Sequence, residues 1–167
     1  MSVTLVLGGA RSGKSRFAES LCHAPRSYIA TAQAFDEEMK ARIAKHRDDR
    51  GAAWTTMEAS LDLVSALRAA QGDVMLDCLT LWLTNLVMAE RNVEPETDAL
   101  VQQLQRMSNK VVIVSNELGL GLVPEHGLSR HFRDLHGQMN QRVAAMADCV
   151  VFTVAGIAQV IKGRLPE

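Results

Sequence analysis

Hydrophobic and polar positions along this chain follow two alternating patterns, and the first pattern predicts strands. Short apolar runs rich in β-branched residues occupy residues 3–7, 73–78, 110–115 and 149–156, and each run is bounded by turn-forming or charged residues. Continuous apolar runs of this length are typical of strands buried on both faces of a parallel sheet. Two shorter stretches, residues 27–32 and 54–58, predict further strands.

The second pattern has helical spacing and lies between these runs. Helices are predicted at residues 36–49, 61–71, 79–89, 97–107 and 129–146, of which the one at 79–89 is apolar throughout, in addition to a helix directly after the first strand. Strands and helices therefore alternate, which predicts an α/β fold with a mainly parallel sheet and helices on both faces. The length of 167 residues fits one domain spanning residues 1–167.

A glycine-rich turn joins the first predicted strand to the first helix, and it matches the phosphate-binding P-loop, G-x-x-x-x-G-K-[ST]. The match consists of Gly8, Gly9, Ala10, Arg11, Ser12, Gly13, Lys14 and Ser15. Glycines allow backbone N–H groups to turn inward around a polyphosphate. The motif stands between a strand and a helix, as a P-loop requires, so the sequence predicts a P-loop NTPase fold of the RecA-like type.

Particular side chains of this motif carry defined chemistry. Lys14 is expected to reach the β- and γ-phosphates of a nucleotide, and the Ser15 hydroxyl is expected to bind Mg²⁺. The strand at residues 73–78 carries Asp77 near its end, which fits the Walker B position, where a carboxylate meets Mg²⁺. Many buried strands also end in an aspartate, so this second assignment depends on the P-loop.

A histidine stands among cations on the predicted helix at residues 36–49. His46 has Arg42 one turn before it and Arg50 one turn after it. Neighbouring positive charges favour the neutral imidazole, which is the nucleophilic form, and the same cations can hold a phosphate. From the spacing alone, a solvated basic helix face with an inert histidine is the favoured interpretation, because runs of charge are usually solvated faces.

Composition and charge narrow the classes of function. The chain is 47% hydrophobic and 22% charged, so it can bury a core, and its net charge of -1 gives no general attraction to nucleic acid or anionic membrane. No apolar run is long enough for a membrane span, and no signal peptide is evident. The three scattered cysteines predict buried, reduced thiols in a cytoplasmic protein.

Taken together, these motifs resemble the bifunctional adenosylcobinamide kinase / adenosylcobinamide-phosphate guanylyltransferase family of cobalamin biosynthesis. The resemblance covers nearly the whole chain, and the P-loop is its least specific part because many NTPases share it. The matching stretches are residues 8–15, 28–32, 36–39, 76–80, 82–86, 114–119, 134–141 and 154–156, with Arg42, Ile43, His46, Arg47, Arg50, Trp54 and Glu58 between them.

The resemblance implies two reactions. In the first, ATP or GTP phosphorylates the aminopropanol hydroxyl of adenosylcobinamide. In the second, GTP transfers GMP to the resulting adenosylcobinamide phosphate and releases pyrophosphate. The family carries the GMP on a histidine, and the matching residue is His46, so the resemblance favours the catalytic interpretation of His46 over the inert one.

The resemblance also implies the site residues and the small molecules that they bind. His46 and Lys14 would be catalytic, Ser15 and Asp77 would bind Mg²⁺, and GTP and ATP would be substrates. Besides the P-loop, the nucleotide contacts would be Ala30, Thr31, Ala32, Arg47, Asp48, Asp49, Arg50, Glu58 and Asp77. Neither the residues nor the resemblance singles out a general base for the cobinamide hydroxyl, for which Asp77 and Glu117 are the candidates.

Two other functions fit the P-loop alone. One is a kinase for another small hydroxylated metabolite, and the other is a regulatory protein that uses nucleotide binding as a switch. The apolar, methionine-bearing helix face beside His46 is expected to pack on another subunit, which predicts a homo-oligomer.

Overall fold

The computed structural model describes residues 2–33 and 53–166. Its elements, in chain order, are β1 (Ser2–Gly8), α1 (Lys14–Ser20), β2 (Arg26–Ala30), β3 (Thr55–Glu58), α2 (Leu63–Ala69), β4 (Asp73–Asp77), α3 (Leu79–Met88), α4 (Val93–Arg106), β5 (Lys110–Asn116), α5 (Gly127–Met146), β6 (Cys149–Val154) and β7 (Ile157–Lys162). The helix predicted at residues 36–49, with His46, lies outside the described residues.

The strands form one seven-stranded sheet in the order β3-β2-β4-β5-β1-β6-β7. All neighbouring pairs are parallel except β6 and β7. One strand, β5, therefore separates the P-loop strand β1 from β4, which carries Asp77. The RecA-like P-loop fold with a mainly parallel sheet, expected from the sequence, is confirmed.

The strand side chains alternate between two cores, one on each face of the sheet. On one face Leu5 and Ile113 are buried beneath α2, α3, α4 and α5. On the other face Val6 and Val112 are buried beneath α1. Because the central strands β1, β4 and β5 are apolar on both sides, their hydrophobic runs are continuous rather than alternating. Helices on both faces were predicted, and the structure confirms them.

Helix α4 and the residues after 156 differ most from the sequence prediction. Helix α4 begins at Val93, four residues earlier than expected, because the Asn92 side chain accepts the Glu94 N–H at 3.3 Å and caps the helix. Pro95 then lies in the first turn, where its missing N–H costs nothing. The short, partly apolar tail after residue 156, for which no strand was predicted, forms the antiparallel edge strand β7.

No helix within residues 2–33 and 53–166 is both long and apolar enough to cross a membrane.

Candidate nucleotide-binding site

The P-loop follows β1 at the edge of the sheet where the parallel strands end, which is where open α/β folds bind ligands. Its backbone enters the left-handed region at Arg11, with φ 55°, and at Gly13, with φ 92°. Gly13 also stands at the start of α1, and a side chain there would approach the Gly156 Cα to 3.1 Å. The loop thus needs glycine at this position for two independent reasons.

Three hydrogen bonds hold the loop from different directions. The Gly156 N–H donates to Ser12 O at 2.8 Å from the turn between β6 and β7. The Glu117 N–H donates to Gly8 O at 3.0 Å from the segment after β5. The Lys14 ammonium donates to Gly9 O at 3.0 Å across the loop. The loop is therefore fixed from both neighbouring strands before any phosphate is bound.

Asp77 lies at the end of β4, on the same edge of the sheet as the P-loop. Its carboxylate accepts a hydrogen bond of 2.6 Å from the Tyr28 hydroxyl. Tyr28 packs edge-on against Trp54, with ring centroids 5.8 Å apart, and the Arg26 guanidinium lies 4.2 Å from the Trp54 ring. The aromatic pair thus orients the carboxylate that the sequence assigns to metal and nucleotide.

Thr31 is buried and its hydroxyl is occupied by the protein itself. It donates to Cys78 O at 2.8 Å and accepts the Cys78 N–H at 2.8 Å, which fixes the backbone directly after Asp77. The Asn85 side-chain amide donates to Thr31 O at 2.8 Å and to Ser60 O at 2.9 Å. In this structure the Thr31 hydroxyl shapes the site, and its assignment as a nucleotide contact stays a prediction.

The remaining predicted contacts lie further along the same edge. Ala30 pairs in register with both Asp77 and Glu58, so these three residues form one row across the ends of β3, β2 and β4. At about 4.8 Å per strand, β2 is about 14 Å and β3 about 19 Å from the P-loop strand. Glu58 is exposed, and Ala32 is half-buried just beyond the row.

The structure thus brings the P-loop and Asp77 to one edge and leaves Ala30, Thr31, Ala32 and Glu58 at its far end. Five further predicted site residues, all polar, lie between Ala32 and Glu58 in the chain and are outside the described residues. They are His46, Arg47, Asp48, Asp49 and Arg50.

A buried polar cluster behind the site was not predicted. It consists of Thr80, Ser115, His136 and Asn140, all buried. The Thr80 Oγ1 and Ser115 Oγ atoms lie 2.9 and 3.3 Å from His136 Nε2. The Ser115 hydroxyl donates to Asn140 Oδ1 at 2.8 Å.

Two side chains of this cluster form hydrogen bonds with the backbone of Asn116. The Asn116 N–H donates to Thr80 Oγ1 at 2.9 Å, and its carbonyl accepts from Asn140 Nδ2 at 3.0 Å. Burial lowers the pKa of His136, which favours the neutral ring, and the nearby Glu117 charge opposes this more weakly. A sequence signal existed, because His136 and Asn140 each directly follow an apolar residue, Leu135 and Met139, within the helix predicted at residues 129–146.

The three cysteines are free and buried, as predicted. Burial raises the pKa of the Cys22 thiol to about 12 and that of the Cys78 thiol to about 11. Both thiols are therefore protonated near neutral pH, and the charge of the neighbouring Asp77 also raises the pKa of Cys78. The thiolate is the nucleophilic form, so neither side chain is suited to covalent catalysis.

The site offers oxygen ligands rather than a prebuilt metal cage. Within the described ranges no group of three or more histidine, cysteine, aspartate or glutamate side chains is arranged to hold a metal ion. A hydroxyl at Ser15 and a carboxylate at Asp77 are hard oxygen donors. Magnesium is usually held by one or two protein oxygens together with waters and substrate phosphates, so Ser15 and Asp77 form a donor set suitable for Mg²⁺.

Comparison with known proteins gives a consistent result. The family described as cobinamide kinase / cobinamide phosphate guanyltransferase matches residues 4–161. The bifunctional adenosylcobalamin biosynthesis protein CobP of Pseudomonas aeruginosa is 47% identical over 168 residues, covering 96% of this chain and 97% of that protein. The corresponding CobU proteins of Salmonella typhimurium and Escherichia coli are 47% and 42% identical, each covering 95% of this chain and 98% of the relative. The chain therefore belongs to the cobinamide kinase / cobinamide phosphate guanyltransferase family.

Proposed function

We propose that this protein phosphorylates adenosylcobinamide with ATP or GTP and then transfers GMP from GTP to the phosphate so formed, through a guanylylated His46. The observation that carries the proposal is the P-loop at residues 8–15, fixed from both neighbouring strands and followed along one sheet edge by Asp77. Membership of the family supplies the acceptor, which the P-loop by itself does not specify.

In the kinase step the protein mainly positions and neutralises charge. The backbone N–H groups of the P-loop and the Lys14 ammonium hold the β- and γ-phosphates, and Lys14 is already anchored on Gly9 O at 3.0 Å. The acceptor oxygen bonds to the γ-phosphorus as the bridging bond to the nucleoside diphosphate breaks. Fixing the donor in line with the acceptor is the main source of acceleration.

In the guanylyl step the nucleophile is the neutral imidazole of His46. A ring nitrogen bonds to the α-phosphorus of GTP and pyrophosphate leaves. An oxygen of adenosylcobinamide phosphate then displaces the imidazole from the same phosphorus, which returns His46 and yields adenosyl-GDP-cobinamide. Arg47 and Arg50 are placed by the sequence to neutralise the phosphates during both displacements.

Mg²⁺ belongs to this proposal through the donor set of the site. Ser15 and Asp77 would hold it together with phosphate oxygens, and the Tyr28 hydroxyl at 2.6 Å keeps the Asp77 carboxylate oriented. When bound, the ion withdraws charge from the phosphates. The contacts to the nucleoside are proposed at Ala30, Thr31, Ala32 and Glu58, towards the far end of the same edge.

A homo-oligomer and a cytoplasmic location remain predictions. Free, buried thiols at Cys22, Cys78 and Cys149 suit a reducing compartment. Sedimentation equilibrium of the full chain measures the oligomeric state directly, and a monomer at micromolar concentration contradicts the first prediction.

The covalent intermediate provides the direct test. The protein is incubated with Mg²⁺ and GTP radiolabelled on the α-phosphorus and is then denatured. Wild type should retain label that is lost in acid and stable in alkali, as expected for a phosphorus–nitrogen bond. His46→Ala should lose the label, whereas the control His131→Ala, which removes an exposed imidazole of α5, should keep it.

Two results would favour the other functions. ATP consumption that requires a hydroxylated acceptor other than adenosylcobinamide, without any label on the protein, indicates a plain kinase of another metabolite. GTP binding or hydrolysis that is independent of any acceptor indicates a nucleotide switch. His46→Ala should still phosphorylate adenosylcobinamide, because its P-loop is unchanged.

A further inference from the structure

We propose that Glu117 is the general base of the kinase step, accepting the proton of the adenosylcobinamide hydroxyl as that oxygen attacks the γ-phosphorus. This inference rests on the proposed function and assigns a residue to a role that the sequence left open between Asp77 and Glu117. It depends on the positions of the carboxylates along the sheet edge and on the hydrogen bonds that orient Glu117. It also depends on a chemical difference between the hydroxyl acceptor of the first reaction and the phosphate acceptor of the second.

The position of Glu117 follows from the sheet register. Gly8, the first P-loop residue, pairs with Asn116 at the end of the adjacent strand β5. Glu117, the next residue, therefore lies beside the start of the P-loop. Its own N–H donates to Gly8 O at 3.0 Å, which joins the two segments directly. Glu117 is thus placed beside the loop that receives the terminal phosphates.

The other two carboxylates of this edge lie on strands that are not adjacent to the P-loop strand β1. Asp77 pairs with Val114, and Val114 pairs with Val6, so Asp77 lies about two residues, or ~7 Å, behind Gly8 along the strands. It is also two strands away, at about 10 Å across the sheet. Glu58 lies on β3, four strands from the P-loop strand.

The Glu117 side chain is half-buried and partly oriented. Its Oε1 atom accepts the Gly119 N–H at 2.6 Å. A carboxylate has two oxygens, so this bond directs the group while the other oxygen can still take up a proton. A general base must combine fixed direction with one accessible lone pair.

The backbone that carries Glu117 is also fixed from behind. Thr80 accepts the N–H of Asn116 at 2.9 Å, and Asn140 donates to its carbonyl at 3.0 Å. The neutral ring of His136 lies between these two side chains, within 3.4 Å of Asn140 Nδ2. The buried cluster therefore holds the backbone of this strand end in place next to the P-loop.

The two reactions differ in their need for a base. The hydroxyl acceptor must lose a proton, which passes to Glu117 while the new oxygen–phosphorus bond forms and the nucleoside diphosphate leaves. The phosphate acceptor of the second reaction already carries unprotonated oxygens near neutral pH. A base at Glu117 is therefore required for phosphorylation and dispensable for GMP transfer.

The variant Glu117→Gln separates these predictions with little structural change. Glutamine keeps an oxygen that can accept the Gly119 N–H, but it cannot take up a proton. We expect the kcat for adenosylcobinamide phosphorylation to fall by about 10²–10⁴. Transfer of GMP to supplied adenosylcobinamide phosphate should stay within about threefold of wild type, which also shows that the variant is folded.

Two further variants sharpen the result. Glu125→Gln removes a carboxylate from the same exposed connection, and we expect it to retain wild-type rates in both reactions. Glu117→Asp keeps the carboxylate but shortens its reach, so its phosphorylation rate should lie between those of wild type and Glu117→Gln.

Each remaining outcome overturns the proposal. Phosphorylation by Glu117→Gln within tenfold of wild type means that another group takes the proton. Equal loss of both reactions means that Glu117 supports the shared nucleotide site rather than the proton transfer. Failure of the proposed function itself is distinguishable, because wild type would then phosphorylate no adenosylcobinamide at all.

Discussion

At the scale of single residues, the first glycine of the P-loop is constrained by packing. A side-chain carbon built on Gly8 would lie 2.6 Å from Thr153 O and 2.5 Å from Ser12 Oγ. The serine hydroxyl could rotate away, but the carbonyl belongs to the backbone of β6 and cannot. A side-chain carbon built on the neighbouring Gly9 would have no other residue's atom within 4 Å, apart from its chain neighbours.

This contrast predicts that Gly8→Ala destabilises the protein and that Gly9→Ala does not. Forcing an extra carbon into a closely packed position costs about 1–3 kcal/mol of unfolding free energy. Urea denaturation without nucleotide measures both variants, and Gly9→Ala should stay within about 0.5 kcal/mol of wild type. Equal stability of the two variants would show that the close approach to Thr153 relaxes without cost.

Residue roles were only partly predictable from the sequence. The P-loop pattern identified Gly8, Lys14 and Ser15, because the spacing itself encodes the phosphate-binding turn. The role of Tyr28 was not evident, since its bond to Asp77 joins residues 49 positions apart in the chain. Partners from distant strands become visible only when the strand order and register are known.

At the scale of elements, α5 carries a polar residue into the interior. His136 lies near the buried stripe that includes Met139 and Val143, and it stacks on Phe132 with ring centroids 6.2 Å apart. A charged imidazole would place a hydrogen on both ring nitrogens, one of them facing the Asn140 amide. The packing of α5 against β5 and α3 therefore requires the neutral ring.

This requirement predicts a loss of stability at low pH. The folded protein lowers the pKa of His136, so below the unfolded value of about 6.5 the unfolded chain binds more protons than the folded one. The stability from this residue is complete above that pH and declines as the pH falls, by at most about 1.4 kcal/mol per pH unit.

Urea denaturation between about pH 7.5 and 5 tests this behaviour. We expect His136→Gln to be less stable at neutral pH and to show a shallower loss on acidification than wild type. His131→Gln removes an exposed imidazole from the same helix and should leave the slope unchanged. A wild-type slope in His136→Gln would place the proton uptake elsewhere.

Elements themselves were mostly predictable, and the errors have physical causes. Strong apolar runs such as residues 110–115 gave β5 to within a residue, because a strand buried on both faces leaves no ambiguity in its pattern. Strand β7 was missed since it is an edge strand with an exposed face, where Ile157 and Ile161 are accessible to solvent. Its formation depends on pairing with β6 rather than on its own pattern.

At the scale of the whole molecule, alternation of strands and helices predicted the fold class but not the order of strands. The order decides which residues meet, because it puts β5 between the P-loop strand and Asp77 and brings Glu117 beside Gly8. The alternation is compatible with many parallel orders, so this part of the site required the structure.

Nucleotide binding should stabilise the molecule as a whole. A ligand that binds only the folded state at about 100 times its Kd adds about 2.7 kcal/mol to the unfolding free energy. Thermal unfolding with GTP and Mg²⁺ should show this increase in wild type.

Lys14→Ala should lose most of the increase. Removing a charged hydrogen bond of about 2 kcal/mol weakens binding about 30-fold, so the same GTP concentration adds only about 0.9 kcal/mol. Arg164→Ala removes an exposed cation near the opposite edge of the sheet and should respond like wild type. A full response in Lys14→Ala would mean that GTP binds without the P-loop.

The hydrogen bonds from Gly156 and Glu117 to the P-loop have a consequence for the entropy of binding. Ordering a flexible backbone costs about 1–2 kcal/mol per residue, and a loose glycine-rich loop would incur that cost each time it closed on a phosphate. Here the hydrogen bonds from the turn after β6 and from the segment after β5 already order the loop backbone when the protein folds. Calorimetry should therefore find only a small unfavourable conformational entropy when the nucleotide binds. Nucleotide affinity should fall when the hydrogen bond from the β6–β7 turn to the P-loop is lost, even if that turn does not contact the nucleotide.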